Sequence, residues 1–337
     1  MNTFFVRRIS LLAFVAAFAW VAVAEAAPAR GAQRAPATTA TTSEGQKSGL
    51  HRVPDALGLK SSVALVVDQD TDEVLLEKNP NAVLPIASIT KLMTALVTID
   101  AQLPLDEELT VSKSELTIDR RNSRLRPGVK LTRAEALHLA LMSSENHAAQ
   151  LLARTYPGGV PAFVEAMNAK ASLLGMSDTH YSDPTGLSPE NRSSPQDLVR
   201  LVKAAHEYPL IRDYSTSSRY DLAIGKRLVR YGNTNRLTAS PEWQIGLQKT
   251  GYISAAGRCL VMQAVIEGRR VVMVLLDSVG KYSRIGDAQR IRSYLMARQA
   301  HEQAQEERAR IGAQASAQSL QQSAQQSTQV NGLHETH

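Results

Sequence analysis

One cysteine among 337 residues excludes an internal disulfide and any CxxC metal or redox pair. The chain also lacks an HExxH motif, its eight histidines are scattered, and no internal repeat is visible. Gly280-Lys281 superficially resembles a phosphate loop, but Leu275 stands where its leading glycine would be. Aromatics make up only 5% of the residues, while 43% are apolar and 21% charged. The last two values are near the globular average, so a wholly disordered, collagen-like or disulfide-stapled chain is excluded. No apolar run beyond the first 26 residues approaches membrane-spanning length.

Those first 26 residues read as an address rather than as part of the fold. Arg7 and Arg8 form a positive start, Leu11 to Ala24 is an uncharged apolar run, and Ala24-Glu25-Ala26 offers small residues at cleavage spacing. The run is shorter than the ~20 residues of a membrane helix. Cleavage and export from the cytoplasm are therefore expected, with no stable transmembrane anchor afterwards; an uncleaved membrane anchor is the alternative, and either route ends outside the cytoplasm. The formal net charge is +6, and the chain stays basic without its leader. Outside the cytoplasm such basicity favours a phospholipid face or a carboxylate-rich wall polymer, and no nucleic-acid partner is expected. Arg120, Arg121, Arg124 and Arg126 are the densest basic cluster, either a solvated face or a docking patch.

Residues 27–58 are rich in Ala, Thr, Pro and Ser with little apolar periodicity, which predicts a disordered linker. Ser62 to Asp68 and Glu73 to Glu77 predict a hairpin, followed by a helix over Ile89 to Ile99. From about 109 to 220 the pattern is mostly helical, punctuated by Pro and Gly. Strand patterns return at Lys226 to Tyr231, Gly246 to Thr250, Cys259 to Glu267 and Arg270 to Asp277, and a helix from Ser283 to Arg298 closes the fold. The expected architecture is an α/β (α+β) domain over 59–297, its two ends meeting in one sheet interrupted by a helical insertion, with a polar Gln/Ala/Ser-rich tail over 298–337. The cleft between sheet and insertion is the expected site.

Ser88-Ile89-Thr90-Lys91 carries the first chemical signal. Positions i and i+3 share a helix face, so the Lys91 amine can reach the Ser88 hydroxyl. A hydroxyl needs a base to become a nucleophile, and a lysine serves only when uncharged, its pKa lowered by burial or by a nearby positive charge such as Lys249. A second Ser-x-x-Lys, Ser278-Val279-Gly280-Lys281, follows a strand and reads as a surface loop. The first copy has company: Ser144-Glu145-Asn146 after an apolar helical stretch, then Lys249-Thr250-Gly251 in a strand. Singly these read as a helix cap and an edge strand. Together, in this order, they match the signature shared by penicillin-binding proteins and class A β-lactamases.

The chain resembles the low-molecular-mass penicillin-binding proteins, the D-alanyl-D-alanine serine peptidases, and most closely their periplasmic endopeptidase branch. The resemblance covers about residues 59 to 297. It rests on Ala87 to Thr94, Ser143 to Asn146, Asp183-Pro184-Thr185-Gly186-Leu187, Asn233 to Leu237, and Lys249 to Tyr252 with Ala255-Ala256-Gly257. Glu145 stands where the carboxypeptidase branch usually has Gly, and the amphipathic membrane helix that ends that branch's separate β domain is not matched.

The resemblance implies an antiparallel sheet flanked by helices with an all-helical insertion. It implies Ser88 as nucleophile, Lys91 as base and Ser144 as proton relay to the leaving amine. Asn146, Lys249, Thr250 and Gly251 would bind substrate, and the backbone N–H groups of Ser88 and Tyr252 would form an oxyanion hole. The implied reaction is acyl-enzyme cleavage of D-alanyl bonds in peptidoglycan peptides, chiefly D-Ala to meso-diaminopimelate cross-links, with β-lactams as acylating inhibitors and no metal or cofactor. D-alanyl-D-alanine carboxypeptidase activity is the alternative.

A β-lactamase needs a Glu that activates water for deacylation. Glu165 lies on an amphipathic helix and Glu190 in a loop, neither placed as such a base. A non-catalytic wall-binding or penicilloyl-sensing domain would keep the cleft for recognition alone, and retention of every motif side chain argues against it. Cys259 reads as a small buried residue, and Trp243 as core or groove wall. Glu145 is expected to face the cleft and tune Lys91 or substrate choice.

Overall fold

The centre of the molecule is a sheet whose strands are apolar on both sides. The structure, a computed structural model, describes residues 42–119 and 123–334, with side chains as far as residue 320. The leader, residues 27–41, Arg120 and Arg121 lie outside the described residues.

The chain opens with a short helix α1 (Glu44–Lys47), then strands β1 (Ser61–Asp68), β2 (Val74–Lys78) and β3 (Leu84–Pro85). A 3-10 turn over Ala87–Thr90 leads straight into α2 (Lys91–Asp100). The insertion follows: β4 (Glu108–Thr110), α3 (Lys113–Ile118), β5 (Lys130–Thr132), α4 (Arg133–Met142), α5 (Asn146–Arg154), α6 (Gly159–Leu173), β6 (Arg192–Ser193), α7 (Pro195–His206) and α8 (Pro209–Thr216). A hairpin of β7 (Arg219–Ile224) and β8 (Arg227–Gly232) returns the chain to β9 (Gln244–Ile253), β10 (Gly257–Ile266), β11 (Arg269–Ser278) and α9 (Ser283–His334).

Five strands form the main sheet in the order β2-β1-β11-β10-β9, every pair antiparallel. β1 pairs with β11 from Ser61 opposite Ser278 to Asp68 opposite Val271, so the two ends of the domain meet at the centre. Alternation sorts the side chains: Val63, Leu65, Val67, Val261, Val272 and Val274 enter one core, while Ala64, Val66, Leu260, Met262, Met273 and Leu275 enter another. The helical insertion covers the first face, and Ala288, Ile291 and Leu295 of α9 cover the second. Burial on both faces explains why these strands read as continuous apolar runs.

Two expectations need correction. The stretch 42–58, read as part of a disordered linker, is packed: the Glu44 N–H donates to the Ala255 carbonyl at 2.9 Å, Arg192 Nη1 bonds Glu44 Oε2 at 2.6 Å, and Ser43 and Gly45 are buried. The partners of Glu44 lie over a hundred residues away, where composition gives no sign of them. The closing helix also runs past Arg298 to His334 and takes in most of the expected tail. Ala, Gln, Glu and Arg are strong helix formers, and no proline or capping signal stops it. As expected of a polar segment, residues 303–320 are exposed.

Candidate active site

Ser88 sits in the 3-10 turn that feeds α2, one turn before Lys91, on a segment whose Ile86, Ala87 and Ile89 are fully buried. That anchoring fixes Ser88. Lys91 Nζ donates to Ser88 Oγ at 2.9 Å, to Asn146 Oδ1 at 2.7 Å and to the Thr185 carbonyl at 2.6 Å. The amine therefore has three acceptors and no access to bulk water. Burial pushes its pKa from 10.5 down to about 7, opposed by the carboxylates of Asp183, Glu145 and Asp119. Burial, rather than the charge of Lys249, is what neutralises it.

The loop after α6 supplies the Thr185 carbonyl. Asp183 Oδ1 accepts N–H groups from Thr185 at 2.6 Å and Gly186 at 2.8 Å, and Oδ2 accepts from Ser188 at 3.0 Å, so one carboxylate winds the loop. Asn191 Nδ2 ties it to Thr90 Oγ1 at 3.0 Å and to the Asp183 carbonyl at 2.8 Å. Gly186 has φ +80°, and a Cβ there would lie 2.0 Å from the Ala87 carbonyl oxygen. Only glycine lets the loop press against the turn that bears Ser88.

Ser144 lies between α4 and α5 with φ +61°, a strained conformation for a residue with a side chain. Lys249 Nζ, entirely buried in β9, donates to Ser144 Oγ at 2.9 Å. Burial lowers the Lys249 pKa well below its ordinary value, and the charges of Lys91 and Arg284 push the same way. Asn146 opens α5; its Oδ1 faces Lys91 and its Nδ2 donates to Asp119 Oδ2 at 2.8 Å. Thr250 Oγ1 meets Thr234 Oγ1 at 2.7 Å. A Cβ on Gly251 would stand 2.9 Å from the Ile86 carbonyl oxygen and 3.2 Å from Ser88 N, so its absence lets β9 run beside Ser88. Tyr252 is 56% exposed, with Arg258 4.4 Å above its ring.

The three motifs thus converge, and Tyr252 extends them toward the rim. Glu145, expected to tune Lys91, is buried, and its Oε1 caps α5 by accepting from His147 N at 3.3 Å. Its charge nonetheless acts on Lys91. Ser278 and Lys281 form no second centre; Ser278 Oγ bonds Ser283 Oγ at 2.8 Å and Lys281 is exposed. Trp243 joins the core under α9, and burial holds the Cys259 thiol up at about 12. Glu165 and Glu190 are both exposed.

Sequence reading missed Asp119, which orients Asn146, and Arg284. The latter is buried at the start of α9 with Nε and Nη1 lacking hydrogen-bond partners, and its charge reaches Lys249. Thr185 and Thr234 lay in quoted motifs but carried no assigned part. A lone Arg at a helix start has no sequence signal; its burial is what marks it.

A buried lysine on a serine hydroxyl, with a second lysine–serine pair beside it, suits acyl transfer without metal or cofactor groups. The sequence profile of the D-alanyl-D-alanine carboxypeptidase family matches residues 51–280. The chain belongs to that family. The D-alanyl-D-alanine endopeptidase of Pseudomonas aeruginosa is 48% identical over 267 residues, covering 78% of this chain and 85% of the relative. That of Escherichia coli is 44% identical over 274 residues, covering 80% and 83%. The Streptomyces K15 DD-transpeptidase superposes with a TM-score of 0.66 at 27% identity, covering 71% of this chain and 98% of that one. This D-alanyl-D-alanine peptidase has the fold the resemblance implied, an antiparallel sheet flanked by helices.

Proposed function

We propose that this peptidase cleaves D-alanyl cross-links of peptidoglycan in the periplasm, with Ser88 as nucleophile and Lys91 as general base. The carrying observation is the 2.9 Å hydrogen bond from a fully buried Lys91 to Ser88 Oγ. Uncharged Lys91 takes the Ser88 proton as Oγ bonds the D-Ala carbonyl carbon; the bond to the diaminopimelate nitrogen then breaks, and Ser144, hydrogen-bonded to Lys249, relays a proton to the departing amine. Water, deprotonated by the same base, hydrolyses the ester and returns Ser88. Asn146 holds Lys91 in place and offers its amide to the substrate backbone. Lys249, Thr250 and Arg284, whose Nε and Nη1 lack partners, bind the leaving residue's carboxylate, while Gly251 leaves room for the substrate along β9. The close approach of Gly251 to Ser88 N supports an oxyanion hole from the N–H groups of Ser88 and Tyr252, each worth ~3 kcal/mol to the transition state.

The endopeptidase reading rests on the names of the relatives at 48% and 44% identity and on Glu145 between Ser144 and Asn146. Carboxypeptidase activity, the family's descriptive name, is the second reading. Digestion of purified sacculi followed by mass spectrometry separates them. Cross-linked dimers should become monomers, Ser88→Ala should abolish this, and penicillin should leave a long-lived adduct on Ser88. Release of terminal D-Ala with cross-links intact would move the assignment to carboxypeptidase, and rapid penicillin turnover would overturn both.

A further inference from the structure

The rim beyond the carboxylate corner is crowded with positive charge. Among the described residues Arg236, Arg258 and Lys281 form no ion pair, whereas Arg269 and Arg270 of β11 are both paired. Each instead lies over an exposed tyrosine: Arg236 and Lys281 at 5.2 and 5.3 Å from the Tyr282 ring centre, Arg258 at 4.4 Å from that of Tyr252. Cations hold such positions within about 6 Å of a ring.

The fold places these groups around one end of the cleft. Thr234, bonded to Thr250, begins the turn that carries Arg236. Arg258 pairs across the sheet with Ser278, whose hydroxyl reaches Ser283, the residue between Tyr282 and Arg284. The rim therefore continues outward from Thr250 and Arg284 on the side where the leaving group departs. Gathering like charges without counterions is unfavourable, and an anionic ligand relieves it; burial chiefly lowers the Arg284 pKa, and the charge of Arg258 pushes the same way.

We propose that this cationic and aromatic rim is a subsite for the departing strand of a cross-link, binding the free carboxylates of an acidic stem peptide. The inference rests on the peptidase reading above. A terminal D-Ala carries a single carboxylate, which the Lys249, Thr250 and Arg284 corner already holds. A whole stem peptide carries several more and extends past that corner across Arg236, Tyr282 and Lys281. The rim thus favours cross-links over peptide ends, and it does so through binding rather than chemistry.

The full-length protein and the double variant Arg236→Gln/Lys281→Gln test this with a cross-linked tetrapeptide dimer and a pentapeptide monomer. The dimer KM should rise about tenfold in the variant, as expected for lost charge complementarity, while D-Ala release and penicillin acylation keep wild-type rates. Added salt should raise the wild-type dimer KM and leave that of the variant nearly flat. An unchanged dimer KM, or equal losses on both substrates, overturns the subsite. Titration with the acidic tetrapeptide alone needs no turnover. Tenfold weaker binding to the variant supports the subsite even if the wild type cleaves neither substrate, a result that would sink the peptidase reading instead, and equal binding rejects it.

Discussion

As the proposed base Lys91 must act without its proton, so a pKa lowered by burial to about 7 predicts where the acid limb of activity should fall. Acylation by penicillin should fall roughly tenfold for each pH unit below that value. The same group couples to stability. Its folded pKa lies below the ordinary 10.5, so between about 7 and 10.5 the unfolded chain binds the extra proton and stability rises with pH. Asp119 offers a sharper test, because its carboxylate both accepts the Asn146 amide and raises the Lys91 pKa. Asp119→Asn keeps an acceptor and removes the charge. The acid limb should then move to lower pH, by up to about one unit, at a near-normal plateau rate. A limb that stays put or moves upward refutes electrostatic coupling through Asp119.

Among the elements, the 3-10 turn bearing Ser88 depends on two neighbours that lack side chains. Gly186→Ala drives a methyl group into the Ala87 carbonyl, and a shift of about 1 Å in a nucleophile can cost 10²-fold in rate. Penicillin acylation should fall by about that factor. Gly225→Ala, in the open β7–β8 turn with φ +60° and no atom near its Cβ, should leave acylation unchanged and cost only about 1–2 kcal/mol of stability. Similar losses at both sites would remove any special role for the Gly186 contact. The strands of the sheet were legible because burial on both faces leaves unbroken apolar runs, and β1, β10 and β11 fall within a residue or two of expectation. The three motifs were legible because their residue types are constrained by chemistry. Arg284 and Asp119 were not, since each acts through partners distant in sequence.

At the scale of the molecule, what sequence could not show was attachment. The segment 42–58 belongs to the fold through Glu44, Arg192 and Ala255, whereas α9 beyond Glu302 is helical by propensity and meets only water as far as residue 320. Ending the chain after Gln303 should leave Tm within about 2 °C and penicillin acylation unchanged, because exposed surface contributes little. Starting it at Leu59 instead should lower Tm by about 5 °C or more, since that removes two ion pairs, Glu44 with Arg192 and Asp55 with the buried Lys78, and buried backbone contacts. Thermal melts of the two truncations settle the point, and equal melting temperatures would mean that the early segment is dispensable.

The pairing of Ser61 with Ser278 has a further consequence for when the enzyme becomes active. During synthesis Ser88 and Lys91 emerge early, but their neighbour Lys249 and the central strand beside β1 come more than a hundred residues later. Until those strands dock the sheet and its cleft are incomplete, and on the proposed mechanism an unfinished chain carries an inert serine. A hydrolase of the wall is thereby kept harmless until its own manufacture is nearly finished.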